Sequence, residues 1–287
     1  FTPMGDEFTL DFAKELITSE ALGAGDSTDI LAISLSATDY IGHAFGPNSL
    51  EAEDNLLRLD RSIASFFAFV DQRIGLDNTL IALSSDHGVD ASPEYMLSLG
   101  LAAGRHYPDR FVKSLNEVLK KRLHSSQDLI KTFWNPGFYL NLEAVRELGQ
   151  DVATVERALA EEVLKLPGFA LAVTRTDLLA GRLTAEPILQ KVQRAFHPQR
   201  SGNVLVVQSP SWYLYPKAEL FSAMHGSPYA YDTYVPIFFG GAGIAARVVE
   251  RQVAPQDVAP TIASFLEIQP PSGSTGTPLV EVLGERD

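Results

Sequence analysis

The chain has 287 residues, 45% of them hydrophobic, no cysteine, and 36 acidic against 23 basic side chains for a formal charge of −13. That length and apolar content rule out a largely disordered chain, and the missing cysteines rule out disulfides, thiolate ligands and a thiol nucleophile. No lysine- and arginine-rich stripe offers a track for nucleic acid, and no apolar run reaches the roughly 18 residues that would suggest a bilayer span.

The sequence opens at Phe1 without a methionine, a basic n-region or a signal-like apolar run, which reads as a mature, truncated or proteolysed product. Residues 8–22 form a helical stretch. Residues 29–36, with the run Ile30-Leu31-Ala32-Ile33-Ser34-Leu35, have the length and near-continuous apolarity of a buried parallel strand. Leu56, Leu59, Ile63, Phe66, Phe67, Val70 and Ile74 then recur at helical spacing and define one face of a long helix over 51–74, with Asn48 and Glu51 as N-cap and N3 partner. A second short apolar strand covers 78–84. Strand, crossover helix and strand make a βαβ unit, whose functional residues belong beyond the carboxyl ends of the strands.

Further along, 109–123 is amphipathic and helical. From 133 the composition shifts: a strand with a Pro-Gly interruption (133–140), a charged helix (142–166), a strand (169–174), a helix (184–196) and apolar strands at 203–208 and 212–215. This order predicts an inserted α+β subdomain over 133–217. The segments 1–132 and 218–287 are expected to form one α/β domain, a mostly parallel sheet flanked by helices. The return begins with a strand at 235–239 and the glycine run 240–243. With no Lys-Ser/Thr after it, that run reads as a turn and not as a phosphate loop. A helix over 256–265 and a Pro- and Gly-rich surface loop over 270–278 complete the chain.

Two clusters follow strand-like runs and carry carboxylate plus imidazole: Asp39-x-x-x-His43, and the adjacent pair Asp86-His87 before Gly88. A hydrolytic zinc commonly takes three protein ligands from imidazole and carboxylate and keeps one open position. One turn of chain can aim Asp39 and His43 at one ion. Their plain reading is an ordinary hydrogen-bonded pair. Gly88 lets the chain turn so that Asp86 and His87 face one cavity, while the plain reading makes Asp86 a cap and His87 a surface group. His225, in His225-Gly226-Ser227-Pro228, is a third candidate ligand or a surface histidine. His197, before Pro198, reads as a surface or capping residue.

The segments Ser36-Ala37-Thr38-Asp39-Tyr40-Ile41-Gly42-His43-Ala44-Phe45-Gly46-Pro47, Leu83-Ser84-Ser85-Asp86-His87-Gly88 and His225-Gly226-Ser227-Pro228-Tyr229 resemble, in order, the metal-binding motifs of the alkaline phosphatase superfamily. The likeness is to the type I phosphodiesterase/nucleotide pyrophosphatase branch and to the bacterial phosphate-irrepressible alkaline phosphatases that share its architecture. It implies one zinc held by Asp39, His43 and His225 and a second bound by Asp86 and His87. It also implies hydrolysis of a small phosphate ester, monoester or diester, and a periplasmic or secreted location. A phosphoglycerate mutase or sulfatase relative, and a non-catalytic metal-stabilised or interaction domain, stand beside it as alternatives.

The sequence departs from this pattern in one respect. The family's first-strand aspartate and its Thr or Ser nucleophile have no counterpart in residues 1–27, where Asp6, Thr9, Asp11 and Thr18 stand in a helical context. The resemblance therefore implies the C-terminal portion of a larger enzyme, with its nucleophile and N-terminal part upstream. This chain is expected to hold one zinc of the full enzyme's two, and to be nearly inactive alone.

Overall fold

The structure, a computed structural model, describes residues 2–215 and 220–284. Its helices run in order α1 (Met4–Ser19), α2 (Ala37–Phe45), α3 (Leu50–Arg73), α4 (Pro93–Ser98), α5 (Pro108–Leu123), α6 (Leu142–Glu147), α7 (Val152–Val163), α8 (Arg175–Leu179), α9 (Pro187–Ala195), α10 (Ala230–Thr233), α11 (Val258–Phe265) and α12 (Val280–Leu283). The strands are β1 (Ile81–Ser84), β2 (Gly104–His106), β3 (Ile130–Trp134), β4 (Gly137–Leu140), β5 (Phe169–Thr174), β6 (Val204–Gln208), β7 (Trp212–Leu214) and β8 (Ile237–Gly240). The chain divides into two compact units, the first Phe1–Ile41, Leu50–Gly88 and Tyr234–Asp287, the second Gly42–Ser49 and Val89–Thr233. The expected insertion lies within the second unit as far as residue 215; its last positions, 216 and 217, fall outside the described residues.

In the first unit, the buried stripe Leu10, Ala13 and Ile17 of α1 packs with Phe66 and Val70 of α3. Burial of each larger side chain contributes about 1.5–3 kcal/mol. Leu31, Ile33 and Leu35 lie against the same cluster, while the intervening Ala32 and Ser34 are exposed. The segment thus has the alternation of a strand but no backbone ladder among the described residues, so the expected strand over 29–36 is extended chain. β1 pairs instead with β8, antiparallel, in the register Ile81↔Gly240 to Ser84↔Ile237. The glycine run closes β8 as a turn: Gly241 has φ +71, and a Cβ there would lie 2.0 Å from the Thr79 carbonyl oxygen.

The second unit is built on a four-stranded sheet in the order β3-β4-β6-β5, antiparallel throughout. β6 is the centre of gravity. Val204 and Val206 join a core with Phe111, Leu115 and Leu119 of α5 and Val155, Leu159 and Val163 of α7, while Leu205 and Val207 join a second cluster with Leu178 and Val192. Both faces of β6 are covered, which is why its sequence is an unbroken apolar run. The helix expected over 142–166 is two helices: Gly149 takes φ +72, and the Asp151 side chain caps the new start by accepting from the Thr154 amide at 2.8 Å.

A mostly parallel sheet was expected, and the ladders correct that. Among the described residues β2 with β7 is the parallel pair, and the remaining pairings are antiparallel, giving a mixed α/β arrangement flanked by helices. Apolar periodicity reports which faces are buried and carries no information about the direction of the neighbouring strand.

Candidate metal centre

α2 is a nine-residue helix that places Asp39 in its first turn and His43 in its last. At a separation of four residues both side chains leave the same face of the helix. Gly46 follows with φ +86 and its amide closes on the Gly42 carbonyl at 2.8 Å, ending the helix immediately after the pair.

His43 is held from its ring inward. Its Nδ1 lies 2.8 Å from the Ala223 carbonyl oxygen, an atom that can only accept, so Nδ1 carries the proton and Nε2 presents its lone pair. The backbone repeats this attachment: the Ser222 amide donates to the His43 carbonyl at 2.7 Å, and the Ser222 hydroxyl donates to the Ala44 carbonyl at 2.7 Å. His225 follows on the same strap, with its ring centroid 5.0 Å from that of His43. Phe221 packs edge-on against His43 at 5.4 Å.

Arg105 anchors this strap. Its guanidinium donates to the Phe221 carbonyl at 2.9 Å and the Ser222 carbonyl at 3.1 Å, and is itself gripped by both oxygens of Glu94 at 2.8 and 2.7 Å. The Arg105 guanidinium holds the Glu94 carboxyl below its ordinary range. Ligand atoms of Asp39, His43 and His225, all half-buried, lie within 4.8 Å of one another and form a candidate metal site. The donor set of one carboxylate and two imidazoles, one with its tautomer fixed, suits a divalent cation.

Asp86 and His87 sit beyond β1. The His87 ring repeats the tautomer lock, with Nδ1 2.9 Å from the Gly88 carbonyl oxygen, and its Nε2 lies 3.4 Å from Asp86 and 4.0 Å from Asp39. Ser85 donates to the His87 carbonyl at 2.6 Å and fixes the turn. The Asp86 carboxyl is 84% exposed, and this pair does not complete a three-donor group with a further residue among those described. His197 acts as a local cap, its Nδ1 accepting from the Gln199 amide at 3.1 Å. Tyr213 on β7, ahead of His225, is buried, and Tyr234, beyond it, is 85% exposed.

Sequence reasoning named Asp39, His43 and His225 as candidates, whose ligand atoms the structure brings together, and missed Ser222, Ala223, Arg105 and Glu94. Two of these act through main-chain atoms, which leave no signature in a sequence.

A profile of the family described as type I phosphodiesterase / nucleotide pyrophosphatase matches residues 3–228. The chain is 37% identical over 285 residues to a Myroides odoratus protein described as a calcium-transporting ATPase, covering 98% of this chain and 51% of that protein. It is 34% identical over 283 residues to the alkaline phosphatase PafA of Elizabethkingia meningoseptica, covering 99% of this chain and 51% of that protein. A crystal structure of wild-type alkaline phosphatase PafA superposes with a TM-score of 0.89 at 32% identity, over 99% of this chain and 53% of that one. The chain therefore spans about half the length of the curated relatives it matches.

These likenesses correct the placement beside the nucleotide pyrophosphatase branch. Ligand motifs common to a superfamily cannot separate its branches; similarity over nearly the whole chain can, and it runs to PafA-like alkaline phosphatases.

Proposed function

This chain belongs to the alkaline phosphatase superfamily, within the broad family described as type I phosphodiesterase / nucleotide pyrophosphatase and beside its PafA-like alkaline phosphatases, and on that premise we propose that it supplies the metal-binding part of a phosphomonoester hydrolase. The convergence of Asp39, His43 and His225 is the observation that carries this reading.

Zinc is the ion these donors suit. Tetrahedral zinc with bonds of about 2.0–2.2 Å sets its donor atoms roughly 3.4 Å apart, so side chains already within 4.8 Å close on it by small rotamer adjustments. A bound zinc supplies Lewis acidity towards phosphate oxygens. Asp39 offsets part of the cation's charge, His43 offers Nε2 with its proton fixed on the opposite nitrogen, and His225 completes the set. Asp86 and His87 are half of a second site, whose affinity is low until further ligands join them.

The nucleophile is assigned to sequence outside these 287 residues, because the described residues ahead of the Asp39 motif, 2–27, hold no strand followed by Thr or Ser at a helix start, and Thr174, which joins β5 to α8, has its hydroxyl engaged with Asp177 as that helix's cap. The remaining half of the relatives' length is its natural source. That half would also cover apolar side chains that the first unit leaves in water, Ile30 at 72% and Phe238 at 58% exposure. The working location is the periplasm or the exterior, on family grounds.

Metal analysis after zinc dialysis, coupled to hydrolysis of p-nitrophenyl phosphate, tests the reading. One zinc per chain is expected, lost in His225→Ala, with turnover on the order of 10⁴-fold or more below a full-length relative, as when a catalytic nucleophile is removed. A chain that takes up no zinc would sink the metal assignment, and full turnover would sink the assignment of the nucleophile.

A further inference from the structure

The first amides of a helix have no partners within it. At the start of α2 the Ala37 amide donates to Oδ1 of Asp6, at 2.9 Å, from the first turn of α1. Next to it, Asn55 of α3 donates through Nδ2 to the Thr38 hydroxyl at 2.9 Å. Asp6 and Asn55 are 3% and 1% exposed. The turn carrying Asp39 is thus gripped on consecutive residues by two buried polar side chains from two different helices.

Stability alone is a poor reason for this arrangement. A buried carboxyl is expensive to desolvate, and Oδ2 of Asp6 is buried with no hydrogen-bond partner. Water on the exposed side would satisfy the same amide without that cost, and the N-cap residue Ser36, whose side chain could reach only the amides further into the turn, has its hydroxyl 3.3 Å from that of Ser34. What the two distant anchors add is a fixed rotation of α2 about its axis. Side-chain atoms lie roughly 5–6 Å from a helix axis, so a 20° rotation would carry the Asp39 carboxyl by about 2 Å, when metal ligation tolerates about 0.2 Å.

We propose that Asp6 and Asn55 are positioning residues for the cation site, setting the direction in which α2 presents Asp39. This rests on the metal reading above. The clamp itself is a property of the apo chain.

The test combines Co²⁺ and Zn²⁺ titrations, followed by Co²⁺ absorption and calorimetry, with hydrogen exchange of the α2 amides and melting of the metal-free protein. The variants are Asp6→Ala, Asp6→Asn and Asn55→Ala. Asp6→Asn keeps an acceptor for the Ala37 amide and is expected to stay within about threefold of wild-type affinity. Asp6→Ala and Asn55→Ala are each expected to lose roughly 10- to 100-fold, the usual range for outer residues of a metal site, with an altered Co²⁺ spectrum and faster exchange in α2. If these variants melt earlier yet bind metal within threefold of wild type, the residues are structural and the proposal falls. If wild type binds neither ion, the metal reading fails on its own; the proposal then falls too if α2 exchange is unchanged in Asp6→Ala, and otherwise survives only as control of α2.

Discussion

Glu156, on α7, is 0% exposed and is the sole carboxylate in a knot of neutral donors. Its Oε2 accepts from the Thr176 amide at 3.0 Å and the Thr176 hydroxyl at 2.7 Å, and its Oε1 accepts from Nδ2 of Asn203 at 3.0 Å. Glu156→Ala would strand these donors in the interior. Each orphaned group costs about 1–3 kcal/mol; the hydroxyl can rotate away, so two donors decide the outcome, and the loss is roughly 4 kcal/mol. For a unit of this size, that lowers the melting temperature by roughly 8–16 °C.

Glu156→Gln should cost less, about 1–3 kcal/mol. The Asn203 amide cannot flip to meet it, because Oδ1 of Asn203 already accepts from the Leu140 amide at 3.1 Å. Tryptophan fluorescence suits the measurement, since both tryptophans lie in the second unit and Trp212 stacks on His106 at 5.0 Å. Urea titrations placing Glu156→Ala within about 1 kcal/mol of wild type, or Glu156→Gln level with the alanine, would refute this account of the knot.

Other expectations can be checked alongside. Glu94 has a folded pKa lowered from 4.5 by Arg105, so its contribution to stability is present above pH 4.5 and is lost as pH falls through the lowered value; acid unfolding of Glu94→Gln should lack that part of the slope. Gly241→Ala combines a positive φ with a clash against the Thr79 carbonyl and should destabilise the first unit by more than about 1 kcal/mol, read by calorimetry. Zinc at a hundredfold excess over its dissociation constant should stabilise the chain by about 2.7 kcal/mol, a gain that EDTA reverses and that is missing in His225→Ala; equal melting with and without zinc in wild type would contradict it.

Legibility in the sequence followed the range of the interaction. α3 was plain from Ile63, Phe66 and Val70 because a helix writes its buried face into neighbouring residues, and its observed start at Leu50 lies one residue from the expected boundary. Asp39 and His43 were equally plain, sharing one helix. The break between α6 and α7 was missed because the charged, helix-favouring sequence on both sides outweighed Gly149. Strand direction was misjudged for a deeper reason: the partner of β1 is β8, which lies more than 150 residues further along, and nothing local encodes which neighbour a strand will find. His225 was reachable through motif resemblance alone. The contacts that orient α2 and the strap beyond it belong to tertiary structure and were out of reach.

One detail of the His43 lock bears on how this protein can drift over generations. The acceptor for its ring proton is the carbonyl of Ala223, a residue that is 0% exposed. Codon changes at position 223 replace a methyl group and leave that oxygen in the chain, so no single substitution deletes the acceptor; the pressure on the site is to keep a small side chain that lets the main chain pass close by. Divergent relatives should therefore vary at 223 among the smallest residues, while His43 itself has no such latitude.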